Sequence, residues 1–173
     1  MNGKILVAYA TTHGSTQEIA ESVAEALRER GLEVDVQQAG KVGSLEGYKA
    51  VVLGAPLYMF HLHGDARRFL TKFRKVLEAG MPAAIFAGGP FEKADEQEFA
   101  DVRKQLDQDL AKYPWFKPKS IEVVGGKFDP TGLKFPWNLT PYLKGLPPSD
   151  KRDWDKIKGW AESLPQFFAA PDN

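Results

Sequence analysis

Thr11, Thr12, Ser15 and Thr16 gather four hydroxyl groups around His13 and Gly14 within six residues. Hydroxyls and backbone amides at that density are donors for an anion, and the glycine lets the main chain wrap closely around it. The apolar run Ile5-Leu6-Val7-Ala8 precedes this turn, and Ile19, Ala20, Val23, Ala26 and Leu27 follow it at helical spacing. A buried strand thus feeds a turn that opens a helix. The first amides of such a helix lack internal partners and lie at the positive end of its dipole. Residues 11–16 are therefore expected to cradle a phosphate at the C-terminal edge of a sheet. The alternative is an ordinary strand–turn–helix in which Ser15 or Thr12 is simply the N-cap. Gly14 stands alone, which excludes the dinucleotide G-x-G-x-x-G pattern, and no Gly-Lys-Ser/Thr follows to make a Walker loop.

A second cluster of chemistry-bearing residues lies in 55–63, Ala-Pro-Leu-Tyr-Met-Phe-His-Leu-His. Pro56, Leu57, Tyr58, Met59 and Phe60 make an apolar, aromatic loop where a polar one would be ordinary, and such a loop beside a phosphate site suits a flat heteroaromatic ring. The competing reading folds Tyr58 and Phe60 back over the core. His61 and His63 are candidates to bond a ligand carbonyl or to exchange protons near neutral pH. Two histidines with no third ligand nearby do not make a metal site, and no metal is expected. Loop 88–94 adds Gly88, Gly89, Pro90 and Phe91; the glycines permit close backbone approach and Phe91 would cover the other ring face, unless the segment is only a Gly-Pro turn.

Stepping along the chain, strands are expected at 5–8, 32–36, 50–55, 81–87 and 120–125, the second half-exposed and near an edge, the third and fourth central. Helices are expected at the 16–27 stripe, near 64–79, at 95–112 and at 153–168. This alternation predicts an α/β fold with a parallel sheet and helices on both faces, 1–173 forming one domain. Ligands of such folds bind where strand order reverses, at the C-terminal strand ends. The long segment 127–152 is an insert rich in aromatics, prolines and lysines, too aromatic for disorder, and fit to cover the ligand, meet a membrane surface or a partner, or pack on its own domain.

Composition narrows the chemistry. Of 173 residues, 43% are hydrophobic and 27% charged, which suits a soluble globular protein. There is no cysteine, so thiolate nucleophiles, disulfides and Cys-ligated clusters are excluded and any redox chemistry belongs to a cofactor. Neither a signal peptide nor an apolar run long enough to span a bilayer is visible, so a cytoplasmic location is expected. Lys and Arg (23) balance Asp and Glu (23), which argues against nucleic acid as a partner. The same balance argues against a pure electron shuttle, which gains encounter speed from an acidic surface.

Over its whole length the chain resembles the flavodoxin-like FMN proteins. Thr11-Thr12-His13-Gly14-Ser15-Thr16 looks like their T-x-T-G-x-T phosphate loop. Within that group it is most similar to the menaquinone-dependent protoporphyrinogen dehydrogenase branch, on three stretches: Gly54-Ala55 with His61-x-His63 and Phe69; Gly125-Gly126-Lys127-Phe128; and Asp153-Trp154 with Ala161. Phe60 stands where that branch often has glycine. The resemblance implies a doubly wound five-stranded parallel sheet, order 2-1-3-4-5, with bound FMN. It implies phosphate contacts from 11–16, ring contacts from 56–60 and 88–91, and electron transfer from a reduced organic substrate, a porphyrinogen being the named candidate, to a quinone or a redox partner protein. His61 and His63 are the candidates for the substrate side. The alternative is a flavodoxin-type carrier with no substrate of its own. A receiver domain of the same topology is excluded, because the first and third strand ends read Tyr9-Ala10-Thr11 and Ala55-Pro56-Leu57, without the acidic residues a receiver needs. Peripheral contact of the insert with the inner membrane face is compatible with this reading, and oligomeric state is left open.

Overall fold

The computed structural model describes residues 3–58, 60–89, 93–133, 135 and 137–170, with the side chain of Trp137 set aside. Five parallel strands, β1 (Lys4–Tyr9), β2 (Val34–Gln38), β3 (Tyr48–Tyr58), β5 (Ala83–Gly88) and β6 (Ser120–Val124), stand in the order β2-β1-β3-β5-β6. This is the doubly wound order expected. A short strand not expected from sequence, β4 (His61–Leu62), folds back antiparallel on the end of β3, pairing Leu57 with Leu62 and Tyr58 with His61.

Alternate strand side chains feed two cores. Leu6, Ala8, Val51, Leu53 and Ile85 point to the side covered by α2 (Gly64–Lys72), α3 (Arg74–Glu78) and α4 (Glu96–Leu110). Ile5, Val7, Val52, Ala84 and Phe86 point to the side covered by α1 (Ser15–Glu29) and the last helix, α6 (Trp154–Ala169). The continuous apolar runs of β1, β3 and β5 follow from burial on both faces.

Three boundaries differ from expectation for local reasons. β2 starts at Val34 because the amides of Gly31 and Leu32 are still bonded to the Arg28 and Leu27 carbonyls closing α1. The helix expected over 64–79 is two helices, broken at Phe73 (φ −99°, ψ 18°), yet Phe69, Phe73 and Leu77 all remain in the same core. The insert is partly regular: β7 (Lys127–Phe128) pairs antiparallel with β8 (Ser149–Asp150), and α5 (Pro141–Gly145) lies between them. The two ends of the insert are therefore joined at a stem.

Gly54 shows how tightly the central strands pack. It pairs with Phe86, and a Cβ at position 54 would lie 2.0 Å from the tip of the Phe86 ring. That ring is fully buried and meets Trp160 edge-on at 6.0 Å, while the indole donates to Ser120 Oγ at 2.8 Å. Gly54→Ala is expected to lower stability by about 1–3 kcal/mol through overpacking. Urea denaturation checks this, and adding Phe86→Leu should recover part of the loss.

Candidate functional site

The first βα turn is built as an open helix end. Gly14 takes the N-cap position in a left-handed conformation (φ 87°), and no side chain caps α1. Ser15 and Thr12, the alternative caps, do not fill that role. The Thr11 hydroxyl accepts the Gly14 amide at 2.8 Å, which closes the turn. The first intrahelical bond runs from Glu18 N–H to the Gly14 carbonyl, so the amides that precede it point out of the helix end. Nothing lies within 4 Å of where a Gly14 Cβ would be. Thr16 is buried at the start of the helix.

Thr12 joins this turn to the second loop. His63 Nδ1 accepts the Asp65 amide at 3.1 Å and so serves as the side-chain cap of α2. With Nδ1 an acceptor, the proton of the neutral ring is on Nε2, which donates to Thr12 Oγ1 at 3.0 Å. Burial pushes the His63 pKa below the ordinary histidine value; Asp65 opposes this, and Arg68 and Arg67 add to it. Thr12 is also bonded to Tyr58, whose phenol is pushed above its usual range by burial, the Thr12 bond only partly offsetting this. Loop 10–16, the end of β3 and the start of α2 are thereby one hydrogen-bonded unit.

The hairpin tip carries backbone strain. Phe60 sits at φ 70° with 62% of its surface exposed. A left-handed conformation costs a bulky residue about 1–2 kcal/mol. The tight turn between the paired Tyr58 and His61 demands it.

His61 turns to α4. Its Nδ1 lies 3.0 Å from Asp109 Oδ1, and the other carboxylate oxygen accepts the Leu62 amide at 2.8 Å. Lys112 Nζ completes the group, 2.9 Å from Asp109 Oδ1 and 3.1 Å from His61 Nδ1. Burial alone would raise the Asp109 pKa, but the Leu62 amide, His61 and Lys112 outweigh it and hold the carboxyl below its ordinary value. Sequence reasoning missed Asp109. Its signal was a carboxylate three residues after Leu106 on the apolar stripe of α4, where a surface charge does not belong.

Of the remaining predicted contacts, Pro56 and Leu57 lie near the end of strand β3, and Gly88 ends β5 beside Pro56. Gly89 donates to the Val124 carbonyl and packs on α4, where an added Cβ would meet Val102 at 2.6 Å. Met59, Pro90 and Phe91 lie outside the described residues. The insert stem reaches the same edge through Arg152, also missed from sequence. Its side chain is 3% exposed, grips both Asp150 oxygens at 2.9 and 2.8 Å, and binds Glu18 of α1 at 2.8 Å. With two carboxylates around it, this guanidinium fastens the insert to α1. Among the described residues no cluster of His, Cys, Asp or Glu could hold a metal ion, and no helix is long and apolar enough to cross a membrane.

A parallel sheet of this order, with an uncapped helix N-terminus and an aromatic hairpin at its switch point, defines the class of flavodoxin-like α/β proteins. A family model described as "Flavodoxin domain" matches residues 6–136, and the chain belongs to that family. The protoporphyrinogen IX dehydrogenase [quinone] of Escherichia coli K12 is 27% identical over 184 aligned residues, covering 97% of this chain and 98% of that protein. Among solved structures, oxidised flavodoxin 2 from Bacillus cereus superposes with TM-score 0.59 at 22% identity, covering 96% and 98% of the two chains. The rubredoxin oxygen:oxidoreductase of Desulfovibrio gigas gives TM-score 0.61 at 16% identity, this chain spanning 37% of that larger protein.

Two outcomes follow from this geometry. Phe60→Gly should raise stability by up to about 1 kcal/mol in urea unfolding, because the strain is released and little buried surface is lost, whereas Phe60→Val should lower it. Because the folded-state pKa of His63 is depressed, its contribution is fully present above the ordinary histidine value of 6.5 and is lost as pH falls below it. Stability measured against pH should decline through that window, and His63→Gln should flatten the decline.

Proposed function

We propose that the protein is an FMN-dependent oxidoreductase that takes electrons from a reduced organic substrate, a porphyrinogen being the candidate, and passes them to a quinone. The carrying observation is the open, uncapped start of α1 tied through Thr12 to Tyr58 on the neighbouring loop. The empty space at Gly14 fits a phosphate, and the amides of the first turn fit its charge. The dehydrogenase name and quinone of the E. coli relative support the reaction class.

Thr11, Thr12, His13, Gly14, Ser15 and Thr16 would hold the FMN phosphate. Tyr58 and Phe60, with Met59 and Phe91, would flank the isoalloxazine, and Pro56, Leu57, Gly88, Gly89 and Pro90 would line its edge. FMN, when bound, supplies two-electron chemistry that no side chain of this cysteine-free protein offers. The residues' own tasks are to bind, orient and move a proton. His61 is half exposed and is the cross-strand partner of Tyr58, which supports assigning it to the substrate side. His63 has both nitrogens engaged, and its task is to hold Thr12 in place. Exposed Phe135, Leu139 and Tyr142 on the insert give the hydrophobic reductant and quinone an apolar face to meet.

Purified protein titrated with FMN should take it up and show the flavin band at about 450 nm. With protoporphyrinogen and a quinone it should turn over many times, and His61→Gln should slow turnover with FMN still bound. A colourless protein that refuses FMN overturns the reading. A protein that binds FMN, accepts electrons only from a reductase and never turns over the porphyrinogen is a carrier instead.

A further inference from the structure

Asp109 is an expensive residue to keep. Its side chain is 1% exposed, it is carried on α4 far from the phosphate loop, and both its oxygens are committed to the β4 hairpin. If it served only to staple the hairpin, the Leu62 amide would suffice, and a neutral acceptor would avoid burying a charge. Instead the second oxygen faces His61 Nδ1. An unprotonated Nδ1 there would set its lone pair against a buried carboxylate at 3.0 Å, whereas an N–H donates to it. Lys112 competes for the ring, since its ammonium, a donor only, lies 3.1 Å from Nδ1 as well as 2.9 Å from the same carboxylate oxygen. It is half exposed to water while Asp109 is buried, so the carboxylate sets the tautomer. Tyr113 also feels Asp109, and Arg67 of α2 acts on Tyr113 from the facing element.

We infer that Asp109 is a positioning residue that fixes His61 in its Nδ1–H tautomer and leaves Nε2 unprotonated on the exposed side of the hairpin, ready to accept a proton from the substrate. The inference rests on the oxidoreductase reading for its purpose, and on the Asp109–His61 geometry for its content. FMN, when bound, would be the oxidant that takes the hydride as a substrate C–H bond breaks. A proton leaves the substrate for His61 Nε2, and the imidazolium formed is stabilised by Asp109. The exposed ring edge then releases that proton to water, and the quinone takes up the hydride's two electrons with two protons to become a quinol. A pairing of buried carboxylate, imidazole and reacting proton needs the correct tautomer as well as the correct place.

The test is the tautomer itself, read from the side-chain nitrogen shifts of ¹⁵N-histidine-labelled full-length protein, with His61 assigned by loss of its signals in His61→Gln. At a pH where the ring is neutral, the wild type should show Nδ1 protonated and Nε2 bare. In Asp109→Asn the amide oxygen still accepts the Leu62 N–H, while its NH2 group faces Nδ1 and should turn the ring over to the Nε2–H form. Turnover should then fall by about 100-fold with FMN uptake unchanged. Lys112→Met should leave the tautomer as it is. A wild type protonated at Nε2, or an unchanged tautomer in Asp109→Asn, overturns the inference, and the wild-type measurement needs no variant to fold. Failure to bind FMN would remove the proposed function and leave the tautomer result standing. FMN binding and quinone turnover with the wrong tautomer would remove this inference alone.

Discussion

The His63 imidazole accepts an amide on one nitrogen and donates to Thr12 on the other, and both bonds can hold together only while the ring is neutral. Through that ring the first residues of α2, the turn before α1 and the end of β3 are kept in register at one edge of the sheet. Thr12 is the shared partner, since it also meets Tyr58. Strand order places these three segments near each other, but hydrogen bonds of fixed length decide how the hydroxyl of Thr12 is turned relative to the open end of α1. A phosphate cradle depends on that orientation, because donors aimed in advance cost no reorganisation when the anion arrives.

Two histidines two residues apart thus have different surroundings. His63 meets an amide and a hydroxyl, and burial, with Arg68 and Arg67 nearby, disfavours a charged ring against the pull of Asp65. His61 meets a buried carboxylate and is half open to water. A difference in surroundings of this kind is what divides roles between like side chains. The division depends on β4, a strand of two residues whose pairing brings His61 opposite Tyr58 while the Leu62 side chain goes to the core.

Local pattern made the architecture legible. The apolar runs of β1, β3 and β5 and the stripes of α1 and α6 are long and continuous, and each settles into the layer its periodicity required. The turn before α1 was legible for the same reason: its residues are consecutive in sequence. What escaped were contacts between residues distant along the chain. Asp109 meets a histidine 48 positions away, and Arg152 meets Glu18 across 134; neither partner is written beside the other. His61 and His63 could be marked as a pair but not told apart, because the difference lies in Asp109 and Thr12. The β7–β8 stem was hidden too, since two-residue strands carry no period.

The insert shows why those long-range contacts matter. Its apolar side chains at 135, 139 and 142 are turned outward, an arrangement that favours collapse onto the nearest apolar surface unless the stem is held. Arg152 holds it with a bidentate bond to Asp150, a bond to Glu18 and the face of Trp154 at 4.7 Å. Gly125 lets the carbonyl of Lys151 pass where any Cβ would stand at 1.7 Å, and the Lys151 amide bonds the Gly126 carbonyl. Because Glu18 belongs to the first turn of α1, the same latch that orients the insert is anchored on the helix whose N-terminus has no side-chain cap. The Arg152 guanidinium is buried and bonded to both half-exposed carboxylates, so the latch has a fixed geometry that an apolar contact lacks. Fixing an exposed apolar face through a charged latch on α1, rather than through more core, keeps that face outward.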